Sequence, residues 1–135
     1  LKDKIHQLEA DDYIQLKGYV TNFDLYDQYE VYVSLSLWET FGLTLMEAIG
    51  SGCAMVGMNV PYGNQTFIQP GKNGCLVDFD ETIPVKEIAD SIINMYAGDI
   101  KTMRMSSNKL AKEYQKDSVL RKWIDLLEVD DGYNL

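Results

Sequence analysis

The run from Val31 to Ile49 constrains this chain more than any other. Val31-Tyr32-Val33-Ser34-Leu35-Ser36 is rich in β-branched and aromatic residues and predicts a buried strand over 31–36. Leu43 to Gly50 predicts a helix, with Leu43, Met46 and Ile49 on one face. Between them lies Phe41-Gly42, bracketed by Glu39 and Glu47. A strand feeding a glycine turn and a helix puts backbone N–H groups and the positive end of a helix dipole at the carboxyl edge of a sheet. Open α/β sheets bind phosphorylated ligands there. Ionised carboxylates only accept hydrogen bonds, so acids beside such a site repel phosphate and suit hydroxyl groups. The unit calls for a ligand with both a phosphate and sugar hydroxyls.

The remaining pattern supplies the rest of such a fold. Residues 1–10 read as a helix, Tyr13 to Val20 as a strand that ends near Gly18, and Leu25 to Tyr29 as a short helix. Cys53 to Met58 and Cys75 to Val77 are apolar strand runs, separated by the Pro61-Tyr62-Gly63-Asn64 loop. Beyond Pro84 the chain reads as helix: a face carried by Ile88, Ile92 and Tyr96, a second over Met103 to Tyr114, a third over Val119 to Leu127. Pro84, near the first position of its helix, is well placed, since its missing N–H has no partner to lose there. Strands alternating with helices imply a parallel α/β sheet. With 135 residues, 46% of them hydrophobic, the chain has the size of one domain, divided into strands and helices over 1–83 and C-terminal helices over 84–128.

Charge removes several function classes. A net charge of −9 argues against a nucleic-acid surface, which needs a basic patch to displace counterions, and against an anionic membrane surface. Lys109, Lys112, Lys116, Arg121 and Lys122 are diluted by acids and read as a solvated helix face. No apolar run approaches a membrane span. Cys53 and Cys75 follow no metal-ligand spacing and read as inert core thiols of a reducing compartment, a disulfide being the minor reading. His6 lies in a polar helical stretch with no Cys or second His to build a metal site and takes no role. The chain begins at Leu1 inside a helical pattern, which suggests an excised piece of a longer protein.

The Glu39–Glu47 constellation resembles the E-x7-E signature of retaining glycosyltransferases of the GT-B fold. Ser36-Leu37-Trp38-Glu39 is similar to their S-x-x-E, Phe41-Gly42-Leu43 to F-G-L, Glu47 to Gly52 to E-A-x-x-x-G, and Asn73-Gly74-Cys75-Leu76-Val77 to N-G-x-L-V. An isolated E-x7-E means little; these motifs come in order. The wording of 41–52 and 62–68 resembles a Gram-positive subgroup with two branches. One comprises accessory-secretion N-acetylglucosaminyltransferases acting on serine-rich adhesins, the other poly(glycerol-phosphate) α-glucosyltransferases of wall teichoic acid. The resemblance implies a Rossmann-like parallel sheet with flanking helices, the C-terminal half of a GT-B enzyme lacking its first two strands. It implies a UDP-sugar as substrate, with no metal and no cofactor, an N-terminal acceptor domain in the full-length enzyme, and a cytoplasmic location. Any contact with the inner membrane face would be made by parts outside this chain.

Roles carry over residue by residue. The resemblance makes Glu39 the catalytic residue, beside the transferred sugar near its hydroxyls and anomeric region, in a front-face displacement in which the leaving diphosphate helps deprotonate the acceptor; the plain alternative is an exposed loop acid. Phe41, Gly42 and Leu43 would offer main-chain N–H groups to sugar and diphosphate oxygens, and Gly42 could otherwise be an ordinary turn glycine. Thr44 would add its hydroxyl to the phosphate or cap the helix. Glu47 would bind the ribose hydroxyls, although Thr44-x-x-Glu47 also fits a capping box. Tyr19 and Val20 would seat the nucleobase, or simply pack. Trp38 reads as a wall of pocket or core.

The chain also departs from that pattern. The diphosphate-gripping Arg and Lys fall upstream of Leu1, and Tyr62-Gly63-Asn64-Gln65-Thr66 stands where many relatives have G-G-x-P-E. In the usual strand order 3-2-1-4-5-6, the strand at 13–18 lacks its neighbours. It is expected to pair directly with strand 31–36 or with a partner subunit or second copy. Without the cleft between two domains, this piece alone is expected to be inactive. Two other classes compete: a nucleotide-sugar-binding or regulatory subunit without catalysis, and a phospho-receiver-like domain, for which the strand ending Met58-Asn59-Val60 lacks the required acids.

Overall fold

A computed structural model of the chain describes residues 1–21 and 23–128. Its sheet has three parallel strands, β1 (Val31–Ser34), β2 (Ala54–Met58) and β3 (Gly74–Val77), in the order β1-β2-β3. Val31 lies opposite Ala54, and Met55 opposite Gly74. The helices are α1 (Lys2–Gln7), α2 (Leu43–Gly50), α3 (Gly63–Phe67), α4 (Val85–Ala97), α5 (Ile100–Ala111) and α6 (Lys116–Glu128), with short 3-10 turns at Phe23–Gln28 and Lys112–Tyr114. The architecture is α/β, and three consecutive strands in sequential order fit the 4-5-6 run of the expected sheet.

β2 reads as an unbroken apolar run because both of its faces are covered. All five of its residues are buried. Met55 joins Leu45, Ala48, Ile49, Phe67, Ile68 and Leu110 in a core beneath α2, α3 and α5. Ala54, Val56 and Met58 face the opposite way, against Val77, Ile88 and Met95 under α4. Buried polar groups are satisfied: the Ser107 hydroxyl on α5 donates to the Cys53 carbonyl at 2.6 Å, and the Arg104 Nε donates to the Gly52 carbonyl at 2.9 Å. Cys53 and Cys75 are free thiols. Burial raises the Cys53 thiol above its ordinary pKa, the state of an inert core cysteine.

Several expectations need correction. No strand forms over 13–18: residues 11–21 are all exposed and take no part in the sheet, so the expected direct pairing with strand 31–36 does not form. The segment finds no ladder partner, and without one its apolar residues cannot adopt a strand. The strand predicted to 36 ends at Ser34, where its pairing with Gly57 ends. On α4 the third inward residue is Met95, one position before the exposed Tyr96, as a 3.6-residue period measured from Ile88 and Ile92 allows. Pro84 does stand near the first position of its helix, as the N-cap of α4. Trp38 is 73% exposed and walls no core.

Candidate functional site

The carboxyl edge of the sheet is built on Gly42. This residue is the N-cap of α2 with φ 83° and ψ 65°, a left-handed conformation that glycine adopts without steric cost. A Cβ here would stand 2.5 Å from Leu45 Cδ1 and 3.3 Å from Glu39 Cγ. Left-handed Gly42 turns the chain abruptly from loop to helix and holds Glu39 against the helix start. No side chain caps α2. Its first-turn N–H groups, which have no intrahelical partner, are therefore free to meet an incoming anion.

Glu39 is half-buried and locked through its backbone. Its carbonyl accepts from the Gly63 N–H at 3.3 Å, and it forms an isolated parallel bridge with Tyr62. A Cβ on Gly63 would run into the Glu39 side chain and lie 2.8 Å from the Phe41 carbonyl oxygen. Two glycines, one after β1 and one after β2, thus bracket the stem of one carboxylate. Phe41 anchors the turn with its ring, set edge-on to buried Phe67 with centroids 5.4 Å apart, and Phe67 packs on Tyr114 at 5.0 Å. Leu43, the first residue of α2, is 62% exposed, so this edge opens to solvent.

Glu47 lies five residues along α2 from Gly42, a rise of about 7.5 Å. It is half-buried beside Tyr26, whose phenol is pushed up to about 12 by burial first, then by Tyr32 and by the Glu47 carboxylate. Tyr26 and Tyr32 stack at a tilt, 5.9 Å between centroids. The capping-box alternative fails: Gly42 is the N-cap, so Thr44 and Glu47 each sit two positions too far into the helix. The Thr44 hydroxyl instead accepts from the Tyr32 hydroxyl at 2.9 Å. Tyr19, 94% exposed, and Val20, also exposed, lie on the 11–21 segment, which takes no part in the sheet.

The sequence reading missed Asn64. It is fully buried; its Oδ1 accepts from Ser34 Oγ at 3.1 Å and its Nδ2 donates to the Met58 carbonyl at 2.8 Å. One amide therefore ties the ends of β1 and β2 together beneath the Glu39 loop. A Gly-Asn pair in a Pro-Tyr-Gly-Asn run reads as turn punctuation, and nothing local distinguishes this buried tie from an exposed turn. Among the described residues no group of three or more His, Cys, Asp or Glu could hold a metal ion. No helix there is long and apolar enough to cross a membrane.

The site thus combines N–H donors at a helix start with one carboxylate in the loop before that helix and a second within it, chemistry suited to a phosphorylated, hydroxyl-rich ligand. The sequence model of the family "Glycosyl transferases group 1" matches residues 1–112. The chain is 43% identical over 133 residues to the UDP-N-acetylglucosamine–peptide N-acetylglucosaminyltransferase GtfA subunit of Streptococcus pneumoniae, covering 95% of this chain and 26% of that protein. It is 30% identical to a poly(ribitol-phosphate) α-N-acetylglucosaminyltransferase of Staphylococcus aureus, covering 93% of this chain and 27% of that one. Among solved structures, it superposes on the pneumococcal O-GlcNAc transferase GtfA in complex with UDP and GlcNAc with a TM-score of 0.84, at 42% identity over 94% of this chain and 26% of the other. A GtfA/B complex gives 0.80, at 39% identity over 94% and 26%. The chain spans about a quarter of the length of these relatives.

Proposed function

We propose, because this chain belongs to the glycosyl transferases of group 1, that it is the donor-binding part of a retaining glycosyltransferase. The donor in this reading is UDP-N-acetylglucosamine or UDP-glucose, and the acceptor a surface protein or a teichoic-acid polymer. The carrying observation is the pair of glycines, Gly42 and Gly63, that hold Glu39 against the uncapped start of α2. The relative that acts on peptide and the one that acts on poly(ribitol phosphate) support the two acceptor classes.

In this reading the first-turn N–H groups of α2 meet the diphosphate, Glu47 accepts from the ribose hydroxyls, and Glu39 stands by the transferred sugar. The acceptor oxygen attacks the anomeric carbon as its bond to the diphosphate breaks, and the acceptor proton passes to a leaving diphosphate oxygen. Helix-start donors lower that barrier by meeting charge as it grows. A separate acceptor domain completes the cleft, so this chain alone turns nothing over. A second subunit also belongs to the reading, supported by the GtfA/B assembly.

The test is calorimetric titration of UDP, UDP-glucose and UDP-N-acetylglucosamine into the intact gene product and its Glu47→Ala variant. Loss of charged hydrogen bonds to the ribose is worth about 2 kcal/mol, roughly a thirtyfold weaker UDP affinity. Equal affinity in the variant would sink the ribose role. No binding of any of the three would turn the reading toward a module without this donor.

A further inference from the structure

Tyr62 holds a backbone conformation that side chains seldom accept. Its φ of 68° and ψ of −108° belong to the first central position of a type II′ turn, a place glycine fills at no steric cost. A non-glycine residue there is strained, because its Cβ crowds the neighbouring backbone. Among the described residues the other non-glycine residue of positive φ is Glu9, in an exposed turn just past α1. Tyr62 is different. Its carbonyl accepts from the Thr66 N–H at 2.8 Å, its backbone bridges Glu39, and the next residue can carry no Cβ without striking the Glu39 stem.

Packing within the chain does not offset this strain. Tyr62 is 63% exposed and belongs to neither buried core cluster. Glycine would keep the turn and relieve the strain, so the ring's use lies outside the chain. It projects from a residue bridged to Glu39, on the same open edge as exposed Leu43. We propose that Tyr62 is a donor-contacting residue whose ring forms a wall against the transferred sugar. A hexose presents an apolar face of C–H groups, and a flat aromatic surface with few degrees of freedom suits it. This inference rests on the donor-site reading above.

The experiment uses the intact gene product with UDP and UDP-N-acetylglucosamine as separate probes. In Tyr62→Gly, UDP-N-acetylglucosamine affinity falls about tenfold while UDP affinity stays within twofold, and the melting temperature rises as the strain is relieved. Tyr62→Phe, which keeps the ring, regains most of the lost sugar affinity. A merely structural tyrosine would instead lower the melting temperature and weaken both probes alike, and that result overturns the proposal. So does an unchanged UDP-N-acetylglucosamine affinity in Tyr62→Gly. Glu47→Ala separates the two levels: if it leaves UDP affinity intact, the donor site itself is misplaced. If it weakens UDP while Tyr62→Gly spares the sugar, only the Tyr62 role fails.

Discussion

Residues 13–20 and residues 31–36 carry nearly the same signal and end in different states. Tyr13-Ile14-Gln15-Leu16 is as apolar and aromatic as Val31-Tyr32-Val33-Ser34, yet the first is exposed throughout and the second is a strand bonded to β2. Strand formation is a property of a pair. β1 has β2, itself clamped between two cores, to supply ladder partners and a covered face. The 13–20 segment has neither, so its β propensity goes unused.

The contrast is sharpest at Gly74, where β3 meets β2. A Cβ there would overlap the Met55 carbonyl oxygen, lie 2.7 Å from its carbon and 2.9 Å from Met55 Cβ. Backbone cannot swing aside as a side-chain tip can. Gly74→Ala is expected to cost about 3 kcal/mol or more, read from the shift of the urea midpoint. A near-neutral result would mean that the sheet's register is as loosely held as the 13–20 segment, and the comparison would lose its basis.

The parts of the fold that a local pattern specifies were legible. The span of α2 matches its prediction from residue 43 to 50, because the glycine before it and the i, i+3 apolar spacing both act locally. β2 and β3 were found to within a residue for the same reason. What escaped depends on tertiary partners. The Ser34–Asn64–Met58 tie joins residues thirty apart in sequence, and no spacing announces it. Tyr96 and Met95 differ by one step of helix phase, which only the docked face of α4 decides. At the site, Glu39 and Gly42 were legible as a motif, whereas the strain at Tyr62 and the Tyr26–Tyr32 support of Glu47 required coordinates.

The turn at Phe23–Gln28 lies between the two regions compared and gives a middle-sized test. Tyr26 keeps its proton to about 12 against an ordinary 10.0, owing first to burial. Between those values the folded chain binds more protons than the unfolded one. Its contribution is therefore complete below pH 10 and declines as pH rises toward 12. Tyr26→Phe should flatten that decline, seen in thermal melts across pH 9 to about 12. An unaltered slope would detach the turn from α2 and group it with the exposed segment before it.

The smallest expected effect tests the exposed segment directly. Ile14 and Leu16 are both exposed, and their segment takes no part in the sheet. Serine at each should move stability by no more than about 0.5 kcal/mol, as for surface positions without partners. The measurement is the urea midpoint of the Ile14→Ser/Leu16→Ser pair in this 135-residue chain and in the intact gene product. Little change in this chain with a loss of about 2 kcal/mol or more in the larger protein would show that the ladder partner lies outside these residues. A loss of that size in this chain itself would mean the segment is already packed, and that residues 13–20 and 31–36 differ less than their exposure implies.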